Sequence, residues 1–383
     1  MADQEVEAML DAVRRFVATD VAPKAAAYER EERYPDDLIA TAREMGLFGL
    51  VVPAEYGGLE LPLPVFSELM ETIARGWTSF ASHLTSHSTV AYTISRHGTD
   101  EQKNAILPRM VHGDLRAAIL LTEAHAGSDL QAIRTTAERA ADGGYVLNGA
   151  KTYISNGKRS NLLLVLAKTD RTANPPKRGM SLMLVETGMT IGVETGESFD
   201  KMAFGSVDTC EVRFSDAALG ADAVLGGVEG RGLGQLMDGL ELGRLTIASS
   251  AVGLAAAALD EAVSFAGERR TFGVLIAEHQ AVQLRLADMA TSLEAARALT
   301  RSAAQALAAG GRTPLVAMAK LAASEAALGI TADALRIHGG SGYIRGIAVE
   351  RFFREAPLYV VGEGTNDILK LAIANTILAR GNA

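Results

Sequence analysis

"GGYVLNGAKTYISNG", residues 143–157, is where the chain changes period, and its reading decides the fold. Before it the apolar residues recur every three or four positions. Within it β-branched and aromatic residues stand in a short run closed by Asn and Gly, as in a strand that ends at a turn. Three similar runs follow: "NLLLVLAKTD" (161–170), "GMSLMLVETG" (179–188) and "CEVRFSD" (210–216). "DRTANPPKRG" (170–179) between the first two is a surface loop. Strands at this spacing imply a small antiparallel sheet or barrel.

Working outward, the flanks read helical. In the N-terminal third, Val6, Met9, Val13, Phe16 and Val17 share one helix face. "YPDDLIATAREMGLFGL" (34–50) places Pro35 in a first turn, and the pattern of 67–98 runs on to Gly98 before a shorter helix over 100–113. Beyond about residue 230 three alanine-rich segments, 245–270, 278–310 and 313–340, are long enough for a bundle. The last opens with Thr313 as N-cap and Pro314 at the first helical position, and stops at Gly339. The expected plan is α+β: an N-terminal helical domain (1–117), a small antiparallel β-barrel domain (118–227) and a C-terminal four-helix bundle (228–383).

Composition limits what such a chain does. Of 383 residues 48% are hydrophobic, enough for a sizeable core, and the net charge of −9 with scattered basic residues speaks against a nucleic-acid surface. One cysteine, Cys210, precludes an internal disulfide framework or a Cys-based zinc site and fits a reducing compartment. The acidic start "MADQEVEAML" has no apolar signal core, and no run of about 18 apolar residues stands out, so a cytoplasmic protein without a membrane span is expected. There is no P-loop and no G-x-S-x-G elbow. "GGVEGRGLGQL" (226–236) lacks the strand–turn–helix context of a dinucleotide loop and reads as a hinge. His83 and His87, four apart, lack a third ligand and read as a core- or solvent-facing pair rather than a metal site.

What remains is a set of polar, glycine-flanked segments at the seams: "LTEAHAGSDL" (121–130), "TYISNG" (152–157), "ERRTFG" (268–273), "HGGSGY" (338–343) and "VGEGTND" (361–367). Glycine allows close backbone approach and arginine offers forked donors for phosphate, which are the parts a large anionic cofactor at domain seams needs.

In this order the segments resemble the acyl-CoA dehydrogenase family. "LTEAHAGSD" is similar to its T-E-x-x-x-G-S-D signature, "RRTFGVLIAEHQAVQLRLADM" (269–289) to its R-x-x-F-G block, and "IHGGSGY" and "GEGTND" to its C-terminal motifs. The resemblance covers essentially the whole chain. It implies an FAD enzyme that desaturates an acyl thioester, with Glu363 removing the α proton while hydride passes from Cβ to flavin N5. It also implies that the Glu363 N–H helps stabilise the enolate oxygen.

Other roles come with the resemblance. Thr122 would reach the flavin pyrimidine edge, and Ser128 the flavin or the pantetheine arm. Ser155 would bond N5, and Tyr153 would take the place of a bulky aromatic over the ring. Arg269, Thr271, Gln280, Gly339 and Gly340 would meet the flavin of an adjacent subunit, with Phe272 packing near the cofactor. Thr365 and Asp367 would close the site, Gly364 would leave room for the thioester, and Arg244 and Glu241 would line the substrate channel. Some members carry their base beside the bundle arginine; here that position is Gly243, so Glu363 is the expected base.

The chain departs from the family pattern in four places. Ala124 and His125 replace a usual Pro-Gly, "SDAALGADAVLG" (215–226) lacks a Val-Pro, Arg336 replaces a glutamine that meets the partner's flavin, and Gly362 replaces a frequent tyrosine. The resemblance implies an electron-transfer flavoprotein as acceptor and a homotetramer, a dimer of dimers. It leaves open CoA or acyl-carrier-protein substrates and an oxygen-using oxidase or monooxygenase on the same fold. Trp77 and Phe80 on "ARGWTSFASHLTSH" (74–87) would either shorten the acyl pocket or serve the core, while Ala81, Ser82 and Thr85 would leave depth; short or branched acyl groups are expected.

Overall fold

The computed structural model describes residues 3–310 and 314–381. The N-terminal helices are α1 (Asp3–Phe16), α2 (Ala22–Glu31), α3 (Asp36–Glu44), α4 (Leu63–Gly76), α5 (Thr78–His97) and α6 (Asp100–Val111). The strands that follow are β1 (Ala117–Leu120), β2 (Thr136–Arg139), β3 (Tyr145–Ser155), β4 (Leu162–Lys168), β5 (Met180–Glu186), β6 (Val193–Thr195) and β7 (Thr209–Leu219). Then come α7 (Gly232–Glu268), the ribbon β8 (Arg270–Thr271) and β9 (Val274–Leu275), α8 (Gln280–Ala308), α9 (Leu315–His338), α10 (Ala348–Val361) and α11 (Asn366–Gly381).

The helical run expected to reach Gly98 is broken at Trp77, whose backbone is extended (φ −166°, ψ 116°). A Cβ on Gly76 would lie 2.3 Å from Val17 Cγ1, so α4 ends pressed against the first helices. The fully buried Trp77 ring donates Nε1–H to Glu29 Oε1 at 2.9 Å and stacks between Tyr28 and Phe80. Both aromatics are therefore core. Thr313, expected to cap α9, lies outside the described residues; Pro314 stands immediately before the helix rather than in it.

The sheet is mixed rather than antiparallel throughout. β1 runs parallel to β4, pairing Ala117 with Leu162, while β2–β3, β3–β7, β4–β5 and β6–β7 are antiparallel. The cause is β1's origin: it enters from α6 rather than by a hairpin, so it is free to lie alongside β4. Among the described residues no ladder joins the outer strands β5 and β6, so the barrel is not closed by hydrogen bonds.

α7 is the hub, packing on α4, α5, α8, α9 and α10 and touching β5. Small residues allow this: a Cβ on Gly253 would sit 2.3 Å from Glu71 O, and one on Gly239 2.0 Å from Thr93 Oγ1. A helix enclosed on all sides is apolar all round. Hence α7, and residues 315–343, are long and apolar enough to cross a membrane, contrary to the sequence reading. Their apolar windows are 83% and 50% buried within the protein, which is where that apolarity is used.

Candidate active site

Between α10 and α11 the chain makes one tight turn. Gly362 ends α10 with its N–H donating to Leu358 O at 2.8 Å. Glu363 and Gly364 then take left-handed backbones (φ 53° and 89°), and Thr365 Oγ1 accepts Ile368 N–H at 3.3 Å to cap α11. For a glutamate this conformation costs about 1–2 kcal/mol, a strain that tertiary packing must hold in place.

The Glu363 side chain lies across bare helix. A Cβ at Gly243 on α7 would fall 3.0 Å from Glu363 Oε2, 3.3 Å from its Cδ and 3.4 Å from Thr89 Oγ1 of α5. The carboxyl thus rests where α7 presents no side chain, with the α5 hydroxyl beside it, and a second glutamate at 243 would have no room. Residue 363 as a whole is half-buried, but the protein packed around its carboxyl raises the pKa above the ordinary value, and the positive charges of Arg244 and then Lys320 offset this in part. Arg244 donates to Glu241 Oε1 at 2.7 Å, so these two predicted channel residues form one ion pair. The Arg244 Nε is buried without a hydrogen-bond partner, a donor oriented into the seam.

Lys320, which sequence reasoning missed, is fully buried on α9 and donates to Gly364 O and Asn366 Oδ1, both at 2.9 Å. Amid alanines its single positive charge reads as a solvated residue, so nothing in the sequence marked it. Thr365 is spent as a helix cap. Asp367 points to solvent and pairs with Lys370 at 3.2 Å instead of closing the site.

A second group gathers at the edge of the sheet. The loop 121–130 is pinned by Glu123, also unforeseen. Its buried carboxylate accepts from Arg134 N–H (2.7 Å), Thr135 N–H (3.0 Å), the Thr135 hydroxyl (2.6 Å) and the Lys151 ammonium (2.9 Å). Burial works to raise the Glu123 pKa, but the Thr135 hydroxyl and Lys151 overcome it and hold it down at about 2. Thr122 O accepts Thr152 N–H at 2.9 Å, which sets Thr122 alongside β3, while Ser128 is exposed at the loop tip. Register shifts in β3 between Lys151 and Ile154 turn Tyr153 (φ 60°) outward, 68% exposed and 5.5 Å from the Phe199 ring. Ser155 is half-buried at the strand's end. Next to it Asn156 Oδ1 meets His83 Nδ1 at 2.7 Å. His87 Nε2–H donates to Phe48 O (3.1 Å), so the histidine pair faces the core, where burial pushes both pKa values down to about 4.

α5 is the shared wall of the two groups. His83 meets the end of β3, and Thr89 borders the Gly243 gap on which Glu363 rests; six residues of helix put about 9 Å between them. That span suits a ring system on the β side facing a thioester on the Glu363 side. The donor chemistry fits a flavin, with hydroxyls and backbone at a pyrimidine edge and an apolar aromatic at the ring.

The remaining predicted residues are elsewhere. Arg269 caps the far end of α7, and from Gly243 to there roughly 25 helical residues span about 38 Å. Thr271 bonds His279 at 3.1 Å, Gln280 opens α8, and Arg336 pairs with Asp333 at 2.9 Å. Phe272 is 97% exposed in a left-handed turn, and Gly339 and Gly340 are exposed with open space around them. One chain does not bring this cluster to Glu363.

The stretch 226–236, read from sequence as a hinge, lines a cleft of about 720 Å³. Arg96, Lys177, Arg178 and Arg231 line it together with His97, one acid, Asp238, and the apolar Leu233 and Met237. It lies at the first turns of α7.

Comparison with known proteins agrees with this layout. The descriptions "Acyl-CoA dehydrogenase, N-terminal domain", "middle domain" and "C-terminal domain" match residues 3–114, 118–217 and 230–378. The chain is 36% identical to mitochondrial isovaleryl-CoA dehydrogenase of Solanum tuberosum, over 96% of this chain and 89% of that one. It is 37% identical to acryloyl-CoA reductase (NADH) of Anaerotignum propionicum, over 98% and 95%. A chain solved in work on the electron transferring flavoprotein of Acidaminococcus fermentans superposes with a TM-score of 0.94 at 33% identity, covering 99% of each chain.

Proposed function

Because this chain belongs to the acyl-CoA dehydrogenase family, FAD-dependent oxidoreductases, we propose that it removes the α and β hydrogens of an acyl-CoA thioester with Glu363 as the base. The carrying observation is the carboxyl itself. It lies on bare α7 with a raised pKa, fixed by a strained turn, and packing makes it a stronger base than a solvated glutamate. FAD, when bound, supplies the acceptor for the β hydride. Thr122, Tyr153 and Ser155 hold its ring, and the Glu363 N–H takes the thioester carbonyl. Arg244 and Glu241 guide the pantetheine arm, and the basic cleft at Arg96, Lys177, Arg178 and Arg231 receives the phosphates of CoA. That charge pattern supports CoA as carrier.

The length of α7 from Gly243, where the Glu363 carboxyl rests, to Arg269, about 38 Å, is the reason to assign Arg269, Thr271, Phe272, Gln280, Arg336, Gly339 and Gly340 to the flavin of a second copy, in a dimer or a dimer of dimers. Short or branched acyl groups fit best, since the α5 face at Thr85 and Thr89 is hydroxyl-bearing and Gly362 leaves space near Cα. Electrons would then leave to an electron-transfer flavoprotein.

A second reading follows from the acryloyl-CoA reductase relative: the same residues, run backward, deliver Glu363's proton to Cα of an enoyl thioester. The test is anaerobic titration of FAD-loaded protein with saturated acyl-CoAs graded in length and branching, then with acyl carriers, and of the reduced protein with enoyl-CoAs. Bleaching of the flavin by one saturated CoA thioester supports dehydrogenation. Reoxidation by enoyl-CoA alone supports the reductase, and response to neither refutes both.

A further inference from the structure

Lys320 has an unusual setting. It is fully buried, and among the described residues it forms no ion pair within 4 Å. Its ammonium instead spans the turn that carries Glu363. Nζ donates to Gly364 O at 2.9 Å, to Asn366 Oδ1 at 2.9 Å and, longer, to Val360 O at 3.4 Å. These acceptors stand three residues before Glu363, immediately after it, and three after it. Three protons meet three acceptors, so the group is satisfied only when ionised. The clasp is anchored twice: Asn366 Nδ2 donates to Ser324 Oγ at 3.0 Å and Glu325 Oε1 at 2.8 Å, one turn further along α9.

A buried ammonium costs several kcal/mol in desolvation, and a leucine would pack such a helix more simply. The carbonyls of a left-handed turn explain its presence. Gly364 O has no helical partner and faces the bundle interior; a point charge with three donors satisfies it and its neighbours at once.

We propose that Lys320 is the positioning residue of this turn: its ammonium holds Glu363 in the left-handed conformation that lays the carboxyl on Gly243, and its charge favours the ionised base. This rests on Glu363 being the base.

The other charges facing the turn are accounted for. On α7 they are Arg244 and its partner Glu241, and on α9 Glu325, bonded to Asn366. The two charged pairs of α10, Arg351–Glu355 and Arg354–Glu350, and that of α11, Lys370–Asp367, are closed within their own helices. Burial pushes the Lys320 pKa down to about 8, with Glu363 acting against that shift and Arg244 reinforcing it.

The test uses FAD-loaded Lys320→Met, Lys320→Gln and Asn366→Ala beside the parent. Flavin bleaching by a reactive acyl-CoA is followed from acid to neutral pH. The Glu363 carboxyl is titrated separately by infrared difference without substrate, its band assigned through Glu363→Gln. Removing the charge should raise the carboxyl midpoint by about one unit in both measurements and lower the plateau rate roughly tenfold to a hundredfold. Asn366→Ala keeps the charge and loosens the clasp, so its plateau should fall about tenfold with the midpoint unmoved.

A parental midpoint in either folded Lys320 variant overturns the electrostatic role, and a parental plateau in Asn366→Ala overturns the clasp, even if both Lys320 variants fail to fold. Should Glu363→Gln bleach at the parental rate, the base assignment itself falls. If Glu363→Gln is silent while the Lys320 variants behave as the parent, only this inference falls.

Discussion

Gly243→Ala should separate stability from catalysis. Gly243 is fully buried in the middle of α7, and in a helix interior alanine is favoured over glycine by about 0.5–1 kcal/mol. The added methyl would lie 3.0 Å from Glu363 Oε2 and 3.3 Å from its Cδ, a few tenths of an ångström inside ordinary contact. The atom it meets is the end of a flexible side chain, so the helix survives and the carboxyl yields. A misplacement of about 1 Å at a reacting group costs up to ~100-fold, so this smaller shift should slow the reaction about tenfold or more. The variant is therefore expected to melt no lower than the parent, with gain up to about 1 kcal/mol, while flavin bleaching slows. Thermal melts of the FAD-loaded protein and anaerobic stopped-flow give both numbers. Parental bleaching would mean the carboxyl does not rest on α7 when it reacts. A fall in the melt would mean the close contact is not with a yielding side chain.

Three further outcomes follow from buried charge. His83 and His87 are neutral in the fold, with pKa values of about 4 against 6.5 in a free chain, so the unfolded state binds more protons between those limits. Stability should fall as pH drops from about 6.5 toward 4, by up to ~3 kcal/mol per histidine, and His83→Gln should flatten that limb of the melting profile; an unchanged slope refutes it. Lys151→Met leaves the Glu123 carboxylate buried without its ammonium, 2.9 Å away in the parent, and should destabilise by about 3–5 kcal/mol. Adding Glu123→Gln should restore part of the melt, and a double variant no better than the single contradicts the pairing. Arg269→Ala should raise the FAD dissociation constant roughly tenfold to a hundredfold, the loss of one charge-assisted hydrogen bond. Fluorescence titration reads this, and unchanged affinity removes Arg269 from the cofactor.

The sequence discloses what is local and periodic. The order helices, strands, helices is visible because the apolar period changes at residue 143 and again near 230. Glu363 is visible because an acid between two glycines in an apolar run is chemically odd. Relations across the chain are not. Trp77 carries no breaker of its own; its extended backbone follows from Gly76 meeting Val17. β1 pairs parallel with β4 because of where α6 delivers it, which no alternation pattern encodes. Lys320 and Lys151 look like ordinary surface cations until their acceptors, 44 and 28 residues away, are seen around them. The cluster at Arg269 is assigned to an adjacent subunit only through the family resemblance; what the residues alone do not show is that the length of α7 sets it at the opposite end of the bundle from Gly243.

The central claim is that Glu363 takes the α proton. Glu363→Gln, loaded with FAD and mixed anaerobically with an acyl-CoA that bleaches the parent, tests it most directly. The account predicts a yellow protein with parental FAD content whose bleaching slows by about 10²–10⁴-fold, the worth of one positioned general base. Bleaching at the parental rate would contradict it.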